Sequence, residues 1–369
     1  MVALVPWGCD VPGPASTPFI VAMVLASIGS VLGTLALWTR APERTTVRWL
    51  ARLGLVLLCQ STAVVLAFAV ANHAGGYFLT WSEVAASTGL TGAPGNSSAA
   101  RLTPTAGVVG GHPVPAGYVL DGHGLAHAHL VGPTSRVSGD LYVRTPPGYD
   151  PHRPGGYPVV LVLNGYPGRP TDPLTKLDLA ALGSMRTTPS ILVSATTNVD
   201  GQNWGCADTR NGPHVATWLT HDVPALLSRD FAVRAGARWA VLGISEGAMC
   251  AVRLTLTAPA QFAAAISLSG NNAPDAPALS SNPTDLRAND LRSLAAKGVT
   301  PGVDLFVAAT QEDGTTAADA SALRRAAGRG VHVDLHLVPH GGHNWQVWNQ
   351  MVAAAADWLS HTWPAQVGN

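Results

Sequence analysis

Hydrophobic and polar positions follow two different rules along this chain. Near the start they do not alternate at all. Residues 18–38 and 53–72 are apolar stretches without a charged side chain. Each has roughly the 20 residues that a helix needs to cross a hydrocarbon core. Neither run is amphipathic, which argues against a helix buried in a soluble core. Between them Thr39–Arg52 carries Arg40, Arg44, Arg48 and Arg52 against Glu43 alone, the bias of a short loop kept on the cytoplasmic side. A cleaved signal peptide opens on a basic segment, and Met1–Pro18 contains no Lys or Arg. The pattern predicts a two-helix membrane anchor over residues 1–74, with the remainder outside the cytoplasm.

From about residue 117 the rule changes to short apolar runs separated by amphipathic stretches. Strands are predicted at Leu125–Val131, Leu141–Thr145, Pro158–Asn164, Ser190–Ala195, Arg238–Leu242, Phe262–Ser267, Val303–Ala309 and Val331–Val338. Helices are predicted at Thr175–Leu182, Val215–Arg229, Glu246–Thr257, Ala317–Ala327 and Trp345–Leu359. PVVLVLN is a near-continuous apolar run and SILVSA repeats that character, as strands buried on both faces do. Strand and helix alternating in this way predict a mostly parallel sheet flanked by helices, α/β in class, over residues 117–369. Residues 75–116, rich in Gly, Ser, Thr, Pro and Ala, are predicted to be a tether outside the membrane, with one short helix around Ser82–Ser87. No internal repeat is present.

Composition sharpens one point and excludes another. Only 12% of the 369 residues are charged and 47% are hydrophobic, in keeping with a chain partly in lipid. Lys+Arg and Asp+Glu both number 22, without a long basic block, so nucleic acid is not an expected partner.

The chemistry begins at Gly243-Ile244-Ser245-Glu246-Gly247. This G-x-S-x-G follows the predicted strand RWAVL and opens the predicted helix EGAMCAVRL, the context in which a strained strand-to-helix turn presents a nucleophilic serine. As a bare pattern it is weak in a chain with 39 glycines; its flanks give it weight. The order on such a fold is Ser, then Asp or Glu, then His. Thr310-Gln311-Glu312-Asp313-Gly314 follows a strand, and Asp313 is the preferred acid with Glu312 the alternative. Pro339-His340-Gly341-Gly342-His343 follows the last strand, and His343 is the expected base, with His340 a loop residue. The oxyanion donors are expected to be the N–H of Glu246 and that of Tyr166 in Asn164-Gly165-Tyr166-Pro167-Gly168, since Pro167 has none.

Two other constellations compete for attention. His112, His123, His127 and His129 form a histidine run in which His127 and His129 share a strand face, yet no third ligand stands at metal spacing, so no metal is expected. Trp204, Trp218, Trp345 and Trp348 could line an acyl pocket, although core packing is the commoner role. Of four cysteines, Cys9 precedes the first apolar run and Cys59 lies within the second. The remaining pair, Cys206 and Cys250, sits in the part expected to lie in an oxidising compartment and is predicted to form a disulfide beside the serine.

Taken together, LYVRTPPGYD, PVVLVLNGYPG, WGCADTRNGPHVATWLTHDVPALL, WAVLGISEGAMCA, FAAAISLSG and GGHNWQVW resemble the putative-esterase family of α/β-hydrolases, which includes esterase D-type enzymes and the antigen 85 mycolyltransferases. The resemblance spans about Asp140–Leu359 and is similar to actinobacterial envelope members with an N-terminal membrane region and an S-E-G-x-x-C elbow. It implies Ser245 and His343 directly, an acid after the preceding strand, and an α/β-hydrolase fold. The expected function is serine-dependent hydrolysis of a small-molecule or lipid carboxylic ester, without metal or organic cofactor, at the outer face of the cytoplasmic membrane. The alternatives are acyl transfer to a sugar hydroxyl and a non-catalytic envelope binding protein.

Overall fold

The computed structural model describes residues 12–38, 45–75, 77–78, 81, 84–85, 108–109, 112–183 and 189–363. The chain divides into two units, Met1–Asn96 with Gly341–Asn344, and Ser97–His340 with Trp345–Asn369.

In the first unit, α1 (Thr17–Leu37) starts at Ser16, whose hydroxyl accepts the Phe19 N–H at 3.4 Å, with Pro18 in its first turn. Both features satisfy or avoid the orphan donors of a helix start. The second helix, α2 (Thr45–Gly75), begins eight residues earlier than its apolar run. Arg48 and Arg52 therefore lie on its first turns instead of in a loop, because arginine is itself a good helix former. The rest of the predicted basic loop, with Arg40 and Arg44, lies outside the described residues. The two helices meet through polar groups: Ser30 and Thr62 hydroxyls lie 3.0 Å apart, and Thr34 Oγ1 lies 3.2 Å from Cys59 Sγ. Both helices are long and apolar enough to cross a membrane.

Most of the predicted tether, including most of its predicted short helix, lies outside the described residues. Within it, β1 (Val108–Val109) and β2 (His112–Pro113) pair as an antiparallel hairpin that irregular composition did not foretell.

The second unit is built on a nine-stranded sheet. In chain order its strands are β3 (Val119–Leu120), β4 (Ala126–Val131), β5 (Ser138–Arg144), β6 (Val159–Leu163), β7 (Ile191–Ala195), β8 (Trp239–Ile244), β9 (Phe262–Leu268), β10 (Val303–Thr310) and β11 (Val331–Val338). Their order across the sheet is β11-β10-β9-β8-β6-β7-β5-β4-β3. From β7 to β11 every pairing is parallel, and β3 to β5 add an antiparallel margin. The central strands are buried on both faces. In β6, Val159, Leu161 and Leu163 enter the core on one side while Val160 and Val162 enter the core on the other, the period-2 alternation of extended chain. In β4 only Ala126 and Ala128 are buried and His127 and His129 face outward, as an antiparallel margin with one wet face requires.

Packing overrides local period in two places. The helix expected at Thr175–Leu182 is two short pieces, α3 (Thr171–Lys176) and α4 (Ala180–Gly183), because Leu177 turns extended and is buried with Leu179 in the core. The stretch before α5 (Val223–Asp230) contains a π turn at Trp218–Asp222. That turn seats the fully buried Trp218, whose indole N–H donates to Thr196 O at 3.1 Å. It also aims the Asp222 carboxylate at the N–H groups of Thr134 and Ser135, 3.1 and 2.8 Å away. After β8 comes α6 (Glu246–Thr257); after β9 come α7 (Pro277–Ser280), α8 (Pro283–Asn289) and α9 (Leu291–Ala296); α10 (Thr316–Ala326) precedes β11 and α11 (Trp345–Thr362) follows it.

Candidate active site

Parallel strands deliver their C-terminal ends to one edge of a sheet, and α/β ligand sites form there. At that edge β8 is followed by Ser245, whose backbone is held at φ 55°, ψ −123° before α6 begins. A non-glycine residue at positive φ costs free energy that the surroundings must supply. Here the Ser245 N–H donates to Leu268 O at 3.0 Å, and Ser245 O accepts the Ala248 N–H at 2.9 Å. Gly243 makes the turn sterically feasible, since a Cβ there would collide with Gly247 O.

The loop after β6 approaches the same serine. A Cβ on Gly165 would stand 3.0 Å from Ser245 Cβ and 3.5 Å from its Oγ, so a side chain at 165 would crowd the nucleophile. This loop is held from beneath. Asn164 Nδ2 donates to Gly165 O at 2.8 Å, Asn198 Nδ2 donates to Gly165 O and Gly168 O at 3.3 and 3.1 Å, and Thr197 Oγ1 donates to Asn164 Oδ1 at 3.2 Å. Tyr166, next in line, is 45% exposed, and its hydroxyl donates to Gly201 O at 3.4 Å. Nothing in the local sequence pointed to the Thr197 and Asn198 clamp, because it comes from the loop after β7.

The two acids after β10 are placed differently. Asp313 is 4% exposed, and its carbonyl accepts from Thr316 N and Oγ1 at 3.1 and 2.8 Å, tying it to the start of α10. Glu312 is exposed, with Oε1 3.0 Å from Nδ1 of the more exposed His340. His343 lies in the connection from β11 to α11, on the segment Gly341–Asn344 that groups with the first unit. There its ring stands edge-on to Tyr77, centroids 6.4 Å apart, and Asn344 Nδ2 donates to Tyr77 O at 2.7 Å.

Residues 138–359 match the family described as "Putative esterase". The chain belongs to that family. Within the putative-esterase family's wider fold, S-formylglutathione hydrolase from Agrobacterium tumefaciens is 17% identical, with 67% of this chain and 96% of that chain covered at a TM-score of 0.54. The fluorophosphonate-binding serine hydrolase FphF of Staphylococcus aureus is 15% identical, with coverages of 64% and 98% and a TM-score of 0.53. Both likenesses establish the α/β-hydrolase fold. An uncharacterized protein of Corynebacterium glutamicum is 26% identical over 252 residues, 62% of this chain and 58% of that relative, so the chain spans less than two thirds of it.

Further contacts hold the loops around Ser245. Cys206 and Cys250 are joined in a disulfide, Cα atoms 5.5 Å apart, within the separation such a bond permits. It ties the loop after β7 to α6. Arg253 reinforces the tie, donating to Cys206 O at 2.9 Å and to Asn289 Oδ1 at 3.1 and 2.9 Å. The Glu246 carboxyl is pushed up to about 7, first by burial and then by the neighbouring Asp275, against a hydrogen bond from Asn203. Asp275 is itself raised, by burial first and by Asp319. Residue spacing gave no sign of this acidic group, because Asn203, Glu246 and Asp275 stand on three separate segments.

The competing constellations resolve into structure. His127 Nε2 and His129 Nδ1 both lie on Asp140 Oδ1, at 3.0 and 2.9 Å. Burial tends to raise the Asp140 carboxyl, but the hydrogen bonds from the two histidines outweigh it and hold the group below its usual range. Among the described residues, no group of three or more His, Cys, Asp or Glu is arranged to hold a metal. Trp218 and Trp348 are core residues, Trp345 packs edge-on against Trp348, and the Trp204 indole N–H donates to Val199 O at 2.9 Å.

Proposed function

We propose that this chain is a serine-dependent carboxylic ester hydrolase, held by α1 and α2 at the outer face of the cytoplasmic membrane. Family membership supports the reaction class. The observation that carries the residue assignment is Ser245 at positive φ between β8 and α6, the local shape that exposes a nucleophile at the head of a helix. In this reading Ser245 Oγ attacks the ester carbonyl while His343 accepts its proton and then returns it to the leaving alcohol. Water, activated by the same imidazole, releases the acid from the acyl-enzyme. Asp313 orients His343. Burial favours it over Glu312, whose carboxylate is engaged by His340 at the surface.

The oxyanion of the tetrahedral intermediate falls to the N–H groups of Glu246 and Tyr166. The first belongs to a helix's opening turn, where amide donors lack intrahelical acceptors and the dipole favours negative charge. The second follows Gly165, whose close approach to Ser245 brings the loop to the nucleophile. Every step uses side chains, backbone amides and water.

A fluorophosphonate probe applied to intact membranes tests the assignment, since labelling requires an activated serine. The wild type should label and hydrolyse p-nitrophenyl acetate, and Ser245→Ala should do neither. A correctly folded Ser245→Ala protein that still turns over the ester would overturn it. Protease added to intact spheroplasts tests the topology: cleavage beyond His73 is expected, and protection until lysis would reverse the orientation.

A further inference from the structure

The Glu246 side chain is half-buried beside the nucleophile, and the catalytic steps do not use its carboxyl. Only its backbone N–H has a role there. Oε1 is shut off from solvent and has no hydrogen-bond partner among the described residues. The Asn203 side chain hydrogen-bonds the carboxyl. The Asn203 amide nitrogen is the donor to an ionised carboxylate, since Oδ1 can only accept and does so from the Gly205 N–H at 2.9 Å. Asn203 lies on the loop that the Cys206–Cys250 disulfide ties to α6, so this single donor is held in place.

The charged group that acts on the Glu246 carboxyl is acidic. Asp275, on the segment after β9, acts on Glu246 directly, and Asp319 of α10 acts on Asp275. Asn272 Nδ2 holds Asp319 through its carbonyl at 2.7 Å and its carboxylate at 3.2 Å. The cation on the same helix, Arg253, is committed to Cys206 O and Asn289, with Asp208 its opposite charge. Among the described residues no Lys, Arg or His forms an ion pair with Glu246. A carboxylate with one oxygen shut off from solvent and unpartnered, beside an acidic neighbour, is costly, and protonation removes that cost.

We propose that Glu246 is a positioning residue for the oxyanion site: with its carboxyl protonated, the amide beside Ser245 stabilises developing negative charge unopposed, and with its carboxyl ionised a second negative charge beside that amide slows acyl transfer. The inference rests on the Ser245 reading. A negative charge placed beside a developing oxyanion in a site partly shielded from water opposes it enough to slow the step by roughly tenfold. Burial places the transition near neutrality, at about 7. A histidine base alone gives a rate that rises with pH and levels off as the imidazole loses its proton. Glu246 adds a descending limb on the alkaline side.

The test is kcat/KM against pH, from about pH 5 to about pH 9, for the full chain in detergent with p-nitrophenyl acetate. Wild type and Glu246→Gln are compared, because glutamine keeps the size and hydrogen bonding without the charge. The wild type should show the descending limb. In Glu246→Gln the limb should be absent, with the ratio of alkaline to acidic rate higher by roughly tenfold. Asp275→Asn provides a second reading if Glu246→Gln does not fold: removing the repelling neighbour eases ionisation of Glu246 and should move the limb to lower pH. An unchanged limb in either folded variant overturns the proposal. Ser245→Ala separates the two failures. If it abolishes turnover while the limb persists in Glu246→Gln, only the role of Glu246 is wrong; if turnover survives in it, the Ser245 reading has failed first.

Discussion

The α1–α2 hairpin and the central sheet draw on similar apolar residues and arrange them in opposite ways. In α1, Leu25, Leu32 and Leu35 are 64%, 60% and 68% exposed, while Ser30 is buried against Thr62. In β6, all five residues from Val159 to Leu163 are apolar and buried. Water drives apolar area inward only where water is the surroundings. Where the surroundings are themselves apolar, helices associate through small and hydroxyl side chains. Apolar content alone therefore says little about what is inside; the period of the pattern and the length of the run say more.

The comparison breaks most sharply on activity. Ser245→Ala should lower turnover by roughly four orders of magnitude or more, whereas Ser30→Ala, which removes a hydroxyl from the hairpin, should leave turnover per folded molecule unchanged. Ester hydrolysis by purified protein measures both.

Glycines give the next largest contrast. Gly243→Ala puts a Cβ onto Gly247 O and should destabilise the sheet unit by more than about 3 kcal/mol or prevent folding. Gly29→Ala in α1 meets nothing within 4 Å and should stabilise its helix by roughly 0.5–1 kcal/mol. Thermal unfolding of the sheet unit and helix content in detergent report the two separately. Side-chain truncation should behave likewise. Leu161→Ala leaves a cavity worth about 2–5 kcal/mol, while Leu35→Ala in detergent should stay within about 0.5 kcal/mol. Equal losses at the two leucines would erase the contrast between the regions.

A smaller effect should separate the sheet unit from an ordinary hydrolase core. The folded Glu246 carboxyl titrates at about 7, above its unfolded value near 4.3. The native state thus holds the extra proton between those values, and stability must fall as pH rises through that window. The loss is of the order of 2–3 kcal/mol. Denaturant midpoints at pH 5 and pH 8 should show it in the wild type and not in Glu246→Gln, and a slope shared by both proteins would assign it to another group.

What sequence alone settled here is what local chemistry dictates. A run of about 20 uncharged residues has one long helix as its economical form, and α1 and α2 follow. A fully apolar five-residue run suits a doubly covered strand, hence β6, and the nearly apolar ILVSA gives β7. Gly243-x-Ser245 between strand and helix is a steric statement about consecutive residues, legible without the fold. Tertiary structure decided whatever depends on segments distant in sequence. Glu312 and Asp313 are neighbours, and only the packing of α10 buries one and leaves the other with His340. The clamp of Thr197 and Asn198 on the Gly165 loop, the break at Leu177 and the π turn that seats Trp218 all answer to partners that no local window contains. The same holds for Glu246. Its amide could be assigned from the motif, but the behaviour of its carboxyl is set by Asn203 and Asp275, because desolvation and charge act through space and not along the chain.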